Sequence, residues 1–429
     1  MNIFKTSFLS AIETAIKLAS GFIVIKFIAV QTGPEGVAFF GQFQNFMAAL
    51  IILVAGSFTT GLVRYSAQEK AGNISANNYL GNALGMGLFA SLLIGVLIFI
   101  FAERLSILTL KSPDYKNIFY LLSFSAVLIM MFQVFIAVFN GWGELYKLIL
   151  CKSISSLLLL VSSIFLVRIY GLAGGLVALI VMQAFSAFIG IGLMTRMKNF
   201  EWQWLKPKFN FAIYKEFFPY WLMSIVTLIS TPLILMLIRV YVAANIGWEK
   251  AGLWEASWKI SELYLLVITT ALTTYYVPKL SQATNEAAEN RIVREVLILG
   301  VLAATFLAIG MYLFRYWIVS LLFSQDFSEV ADILAFQLVG SVIKIAGWVF
   351  AYHMLVKRKT SLFLSSELIF GTSFYLICRY FLDQYGLIGL SYAYSLNYGL
   401  YLTFCCLCFY RSNRIVIKPI EYESDSNPV

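Results

Sequence analysis

"GLWEASWKISELYLL", residues 252–266, has the apolar weight of a membrane helix, yet it carries Glu255, Lys259 and Glu262. A helix turns about 100° per residue, so spacings of four and three put the three charges on one stripe. A charge facing lipid at mid-bilayer costs roughly 2.5–3.5 kcal/mol. The stripe therefore faces protein or water. That requires a helical bundle around an enclosed polar space.

The rest of the chain agrees. Of its 429 residues 60% are hydrophobic and 12% charged, with a mean hydropathy of +0.83. This balance excludes a soluble domain and reads as an all-α integral membrane protein from end to end. The net charge of +9 is no nucleic-acid signal, because the basic residues fall in short loops between apolar runs. Runs of about 20 residues are needed to cross the hydrocarbon. Twelve such runs are expected: 7–30, 38–63, 79–101, 117–139, 148–167, 172–194, 217–241, 251–275, 294–314, 331–355, 362–382 and 387–410. The first is too long and too charged for a cleavable leader and is read as a membrane helix. Nineteen Lys and Arg lie on the side that holds the N-terminus and seven on the other. Both termini are therefore expected in the cytoplasm.

The halves repeat. "SPDY" (112–115) returns as "SQDF" (324–327), "YGLAG" (170–174) as "YGLIG" (385–389), and "GPEGVA" (33–38) resembles "GWEKAGL" (247–253). Each pair occupies an equivalent place in its half. Six spans per half give parallel repeats, a transporter architecture. The expected organisation is a six-helix bundle over 1–203, a cytoplasmic connector over 204–216, a second six-helix bundle over 217–410, and a cytoplasmic tail over 411–429, with a central cavity between the bundles. The two Tyr-Gly links leave room only for tight helix hairpins.

Of the ionisable residues inside the spans, nine bear on the site: Glu13, Lys17, Lys26, Arg239, Glu255, Lys259, Glu262, Lys344 and Glu367. Lys17, Lys259, Glu262 and Lys344 are deep. Four such charges facing lipid would cost on the order of 10 kcal/mol, so they line a cavity or pair with one another. Glu13 sits one turn from Lys17, and Lys259 can pair with Glu255 or Glu262. Lys344 has no acidic neighbour in its span. The expected cationic cavity comprises Lys17, Lys26, Arg239, Lys259 and Lys344, with Glu13, Glu255 and Glu262 as cavity acids suited to H⁺ or Na⁺ coupling. Gly21 and Pro232 are candidate hinges in the equivalent first helices of the two halves. Trp248, Trp254 and Trp258 suit an interfacial belt. Tyr394, Tyr398 and Tyr401 share a face with Asn397, suited to sugar rings and hydroxyls or to plain packing. His353 reads as structural. The five cysteines have no His nearby and read as small apolar residues, so no metal and no cofactor is expected.

Twelve spans, two halves and a central set of Lys and Arg resemble the polysaccharide exporters of the multidrug/oligosaccharidyl-lipid/polysaccharide superfamily. "KLASGFIVIKFIAVQTGPEGVA" (17–38), "WEASWKISELY" (254–264) and "FQLVGSVIKIAGWVFAYHMLVK" (336–357) look like stretches of Wzx-type flippases. The resemblance implies transport of an undecaprenyl-diphosphate-linked oligosaccharide from the cytoplasmic to the periplasmic leaflet of the bacterial inner membrane. It also implies a monomer, alongside a polysaccharide polymerase and a chain-length regulator. Lys17, Lys26, Glu262 and Lys344 fall where such flippases carry charge, and Arg239 matches more loosely. In the second span a basic residue is expected, where this chain has "FQNF" with Gln44 and Asn45. Two other readings stand beside this one. A small-molecule or drug exporter of the same superfamily would favour acids over lysines in its cavity. A membrane enzyme acting on lipid-linked glycan would want a large outer loop and an acidic centre, neither of which is visible, so no catalytic residue is assigned.

Overall fold

The computed structural model describes residues 3–70, 77–197, 200–283, 285–357 and 359–414. Among them there is no strand; the chain is helical throughout. Its first half comprises α1 (Ile3–Ile51), α2 (Ser57–Lys70), α3 (Asn77–Ile100), α4 (Ala102–Leu110), α5 (Lys116–Gly141) and α6 (Leu145–Thr195). The second comprises α7 (Phe211–Leu228), α8 (Ile234–Ile246), α9 (Trp248–Ala271), α10 (Val277–Ser281), α11 (Glu286–Leu313), α12 (Arg315–Leu322), α13 (Val330–Val356), α14 (Thr360–Tyr385) and α15 (Gly389–Arg414).

Eight helical stretches among the described residues are long and apolar enough to cross a membrane. Three are far too long for one crossing: Ala11–Gly56, Leu145–Thr195 and Thr360–Arg411, of 46, 51 and 52 residues. Each breaks at a glycine with left-handed φ: Gly33 (65°), Gly171 (57°) and Gly386 (63°). Twelve spans are expected from the sequence; dividing the three long stretches at their glycines and adding α9 would give that number. Length and composition alone support eight, because α9 carries Glu249, Lys250, Glu255, Lys259 and Glu262.

The repeat is written in the backbone. Gly33 and Gly247, in the matched "GPEG" and "GWEK" stretches, both have positive φ, as do Gly171 and Gly386. "SPDY" and "SQDF" both form a 3₁₀ turn. In each, the serine hydroxyl bonds the aspartate two residues on: Ser112 to Asp114 at 2.7 Å and Ser324 to Asp326 at 3.1 Å. The short helices before them, α4 and α12, start after Phe101 (φ −98°, ψ 13°) and Phe314 (φ −97°, ψ 13°). The Tyr-Gly links are tight: a Cβ on Gly174 would overlap the Leu166 carbonyl, and one on Gly389 the Phe381 carbonyl.

Within the first half α1 packs on α6, and α5 packs on α3 and α6. Within the second, α13 packs on α11 and α15, α14 on α15, and α8 on α9. The halves meet chiefly where α1 crosses α9 and α2 meets α7. The first crossing is very close, since a Cβ on Gly252 would overlap the Pro34 carbonyl and one on Gly41 the Glu255 carboxylate. Large apolar side chains such as Phe89, Phe124, Phe165, Phe306 and Trp317 are exposed on the perimeter. In a multi-pass membrane protein that surface meets hydrocarbon, so its exposure carries no hydrophobic cost.

Candidate functional site: a cationic cavity between the halves

A cavity of about 450 Å³ lies between α1 on one side and α9 and α13 on the other. Lys17, Lys259 and Lys344 line it with one carboxylate, Glu262, beside Gly21, Gln44, Leu159, Thr269 and Trp348. The charged stripe of α9 therefore divides. Lys259 and Glu262 turn to the cavity, while Glu255 turns away and is buried at 2% exposure.

Glu255 belongs to a network that joins the halves. Arg239 on α8, wholly buried, pairs through Nη2 with Glu255 Oε2. Arg239 Nη1 donates to Gln42 Oε1 on α1 at 2.6 Å. With its amide oxygen turned toward Arg239, Asn45 accepts from Nη1 and Nη2 at 3.3 and 3.2 Å. The guanidinium lies 5.9 Å from the Trp254 ring. Glu255 Oε1 is 3.6 Å from Lys259 Nζ, and Lys259 in turn is 3.3 Å from Glu262 Oε2. Glu262 also accepts from the Trp258 indole at 2.9 Å. Both pairings open to Lys259 from the sequence are thus made at once.

Lys344 is held differently. Its Nζ lies 4.6 Å from the Tyr398 ring, 4.9 Å from Trp348, 5.5 Å from Trp258 and 5.6 Å from Tyr394. No carboxylate is within ion-pair distance among the described residues. Ring faces solvate an ammonium without neutralising it. Lys17 is exposed to the cavity and has neither ion pair nor hydrogen bond among the described residues. Glu13, one turn away, forms no ion pair there either.

Lys26 and Arg239 stand outside the lining. Lys26 donates to the Leu321 carbonyl at the end of α12, at 2.5 Å, and so ties the halves together. Arg239 is consumed by Glu255 and Gln42. Gly21 lines the cavity in unbroken helix, whereas Pro232 sits in a π-helical turn, Ile229–Leu233, between α7 and α8. The proline lacks the N–H that a regular ladder needs there. Trp254 and Trp258 are not an interfacial belt: they are 1% and 7% exposed and pack under Arg239 and beside Lys344. Asn397, Tyr398 and Tyr401 line a smaller recess next to the cavity, while Tyr394 is buried behind Lys344. The sequence reading missed the aromatic cage and the role of Gln42. Gln42 and Asn45, three apart, share a face of α1, and this was the available signal. His353 is buried, 3.6 Å from Glu289, which also pairs with Lys357. No group of metal ligands occurs among the described residues.

Residues 4–284 match the polysaccharide biosynthesis protein family. The chain belongs to that family. The lipid III flippase of Escherichia coli (strain K12) is 24% identical over 409 residues, covering 95% of this chain and 98% of that protein. The lipid III flippase of Shigella flexneri matches equally. Among solved structures, an inward-facing multidrug resistance MATE family transporter of the MOP superfamily aligns with a TM-score of 0.79 at 14% identity, over 94% of this chain and 96% of that one. The lipid II flippase MurJ, in an inward closed conformation, aligns with a TM-score of 0.75 at 15% identity, over 95% and 87%. The family assignment and these folds agree with a two-bundle membrane transporter built around its central cavity.

Proposed function

We propose that this chain is a flippase that carries an undecaprenyl-diphosphate-linked oligosaccharide across the bacterial inner membrane, from the cytoplasmic to the periplasmic leaflet. One observation carries the reading: the cavity gathers three ammonium groups against a single carboxylate, and two of them, Lys17 and Lys344, have no anionic partner among the described residues. A diphosphate cannot enter hydrocarbon with its water, and amines in a low-dielectric cavity replace that water. Lys17 and Lys344 supply the charge, while Lys259, shared between Glu255 and Glu262, is drawn from its carboxylates as the phosphate arrives. The polyprenyl tail stays in lipid. Access alternates as one bundle rocks against the other about the fixed site. The named relatives support the reading, since they are flippases of lipid III and lipid II. A cationic drug would meet the wrong sign of field in this cavity. Deleting the gene should leave a lipid-linked glycan accumulated on the cytoplasmic face, restored to export by the wild-type chain. Normal glycan export without the gene would sink the proposal.

A further inference from the structure

A recess of about 190 Å³ opens off the main cavity inside the second half. Glu262, Lys344 and Trp348 line both spaces and mark their junction. Local structure makes the recess. The π-helical turn at Pro232 widens one wall. Gly371 lets α14 lie against that turn, because a Cβ there would stand 2.9 Å from the Ser230 carbonyl oxygen.

The lining has two kinds of surface. Trp258, Phe370, Phe374, Tyr398 and Tyr401 present rings. Glu367 and Asn397 present polar groups with capacity to spare. The Glu367 carboxylate accepts one long hydrogen bond, from the Tyr401 hydroxyl at 3.4 Å, and has no cation within ion-pair distance among the described residues. Asn397, 3% exposed, accepts from the Ser373 hydroxyl at 2.6 Å through its amide oxygen. Its amide NH₂ donates to nothing among the described residues.

We infer that this recess holds one pyranose ring of the transported headgroup and selects an uncharged sugar over a uronate. The inference rests on the flippase reading. The C–H face of a pyranose packs on aromatic rings, as apolar surface does. Sugar hydroxyls donate to the Glu367 carboxylate, and the Asn397 amide donates to a sugar oxygen. A carboxylate on the sugar would face Glu367, which has no cation within ion-pair distance among the described residues, and like charges in a low-dielectric site repel strongly. Glu262 is already paired with Lys259 at 3.3 Å, so Glu367 is the charge left unmet, and Lys344, held among four rings at the junction, is the recess's link to the phosphates next door.

The test uses the purified full chain in detergent micelles and three synthetic polyprenyl diphosphates: bare, carrying N-acetylglucosamine, and carrying glucuronic acid. Binding is read by quenching of tryptophan fluorescence, to which Trp258 and Trp348 contribute. The wild type should bind the N-acetylglucosamine probe about tenfold or more tighter than the glucuronate probe. Glu367→Gln, which keeps shape, should cut that ratio to about threefold or less by strengthening the glucuronate probe. Asn397→Ala should lower the advantage of the N-acetylglucosamine probe over the bare one by about tenfold. Lys17→Ala should weaken all three probes together. Equal binding of the two sugars by the wild type, or full discrimination surviving in Glu367→Gln, overturns the recess assignment while leaving the flippase reading standing. Failure of the wild type to bind any of the three overturns both.

Discussion

Arg239 and Glu255, sixteen positions apart on successive helices, form an ion pair with side chains only 1% and 3% exposed. The pair lies at the crossing of the two halves, and Gln42 on α1 completes it. Removing one member strands the other charge without water, which costs about 3–5 kcal/mol. Glu255→Ala should therefore lower the unfolding temperature and the membrane yield sharply. Gln42→Ala, which removes one hydrogen bond to a charged group, should cost about 1.5–3 kcal/mol. Thermal unfolding in detergent measures both. If Glu255→Ala were as stable as wild type, the pair would not be what holds this crossing.

Lys17 presents the opposite case. It is exposed to the cavity and unpartnered among the described residues, so its loss leaves nothing stranded. Lys17→Ala should change stability by no more than about 0.5 kcal/mol. Transport should still fall by about tenfold or more, the worth of one charge-assisted contact to the substrate. Lys344→Met keeps a long stem among the four rings and removes only the charge. It should show the same split between retained protein and lost transport. Normal rescue of glycan export by both variants would count against the cavity as the headgroup site.

Much of the architecture was legible because its signals are local. The repeat was visible in "YGLAG" and "YGLIG", since only glycine holds these turns, and the same angles recur at Gly171 and Gly386. The 4-and-3 spacing of Glu255, Lys259 and Glu262 announced a polar interior. Which way each charge points was not legible, because the partners are remote. Glu255 faces Arg239 from the preceding helix, and Arg239 in turn reaches Gln42 in the other half. Trp258 looked interfacial by the ordinary preference of its ring, but Lys344, brought in on α13, gives that ring a buried use. Lys26 sits near a helix end, as a snorkelling lysine would. The Leu321 carbonyl that it reaches lies 295 positions away.

The hairpin glycines give a graded test. Around Gly171 and Gly386 nothing lies within 4 Å of an added Cβ. Alanine there meets no side-chain clash but a positive-φ backbone, with ψ of −135° and −147°, that is nearly closed to other residues, worth roughly 1–3 kcal/mol. Gly174 and Gly389 are different, since a Cβ would overlap the Leu166 and Phe381 carbonyls. A backbone oxygen has no rotamer to yield. Gly174→Ala and Gly389→Ala should each destabilise more than their positive-φ neighbours, and the two halves should rank alike. A reversed ranking by thermal unfolding would mean that the turns are not packed as described.

The seam between α1 and α9 should respond to a single methyl. A Cβ on Gly252 would overlap the Pro34 carbonyl, so Gly252→Ala pushes apart helices that belong to different halves. Overpacking of this kind costs about 1–3 kcal/mol. The cost falls on the arrangement in which the seam is closed. An arrangement with the helices apart escapes it, so the substitution should shift the population toward an open seam rather than unfold the chain. Amide hydrogen exchange reads this directly. Exchange should quicken at 34–41 and 248–256, while the α5–α6 contacts keep their protection. Gly192→Ala is the control, because its Cβ would meet nothing within 4 Å. It should leave exchange at the seam untouched. If Gly252→Ala left exchange at 34–41 unchanged, or if protection were lost evenly over the whole chain, the seam would not be the joint on which the halves move.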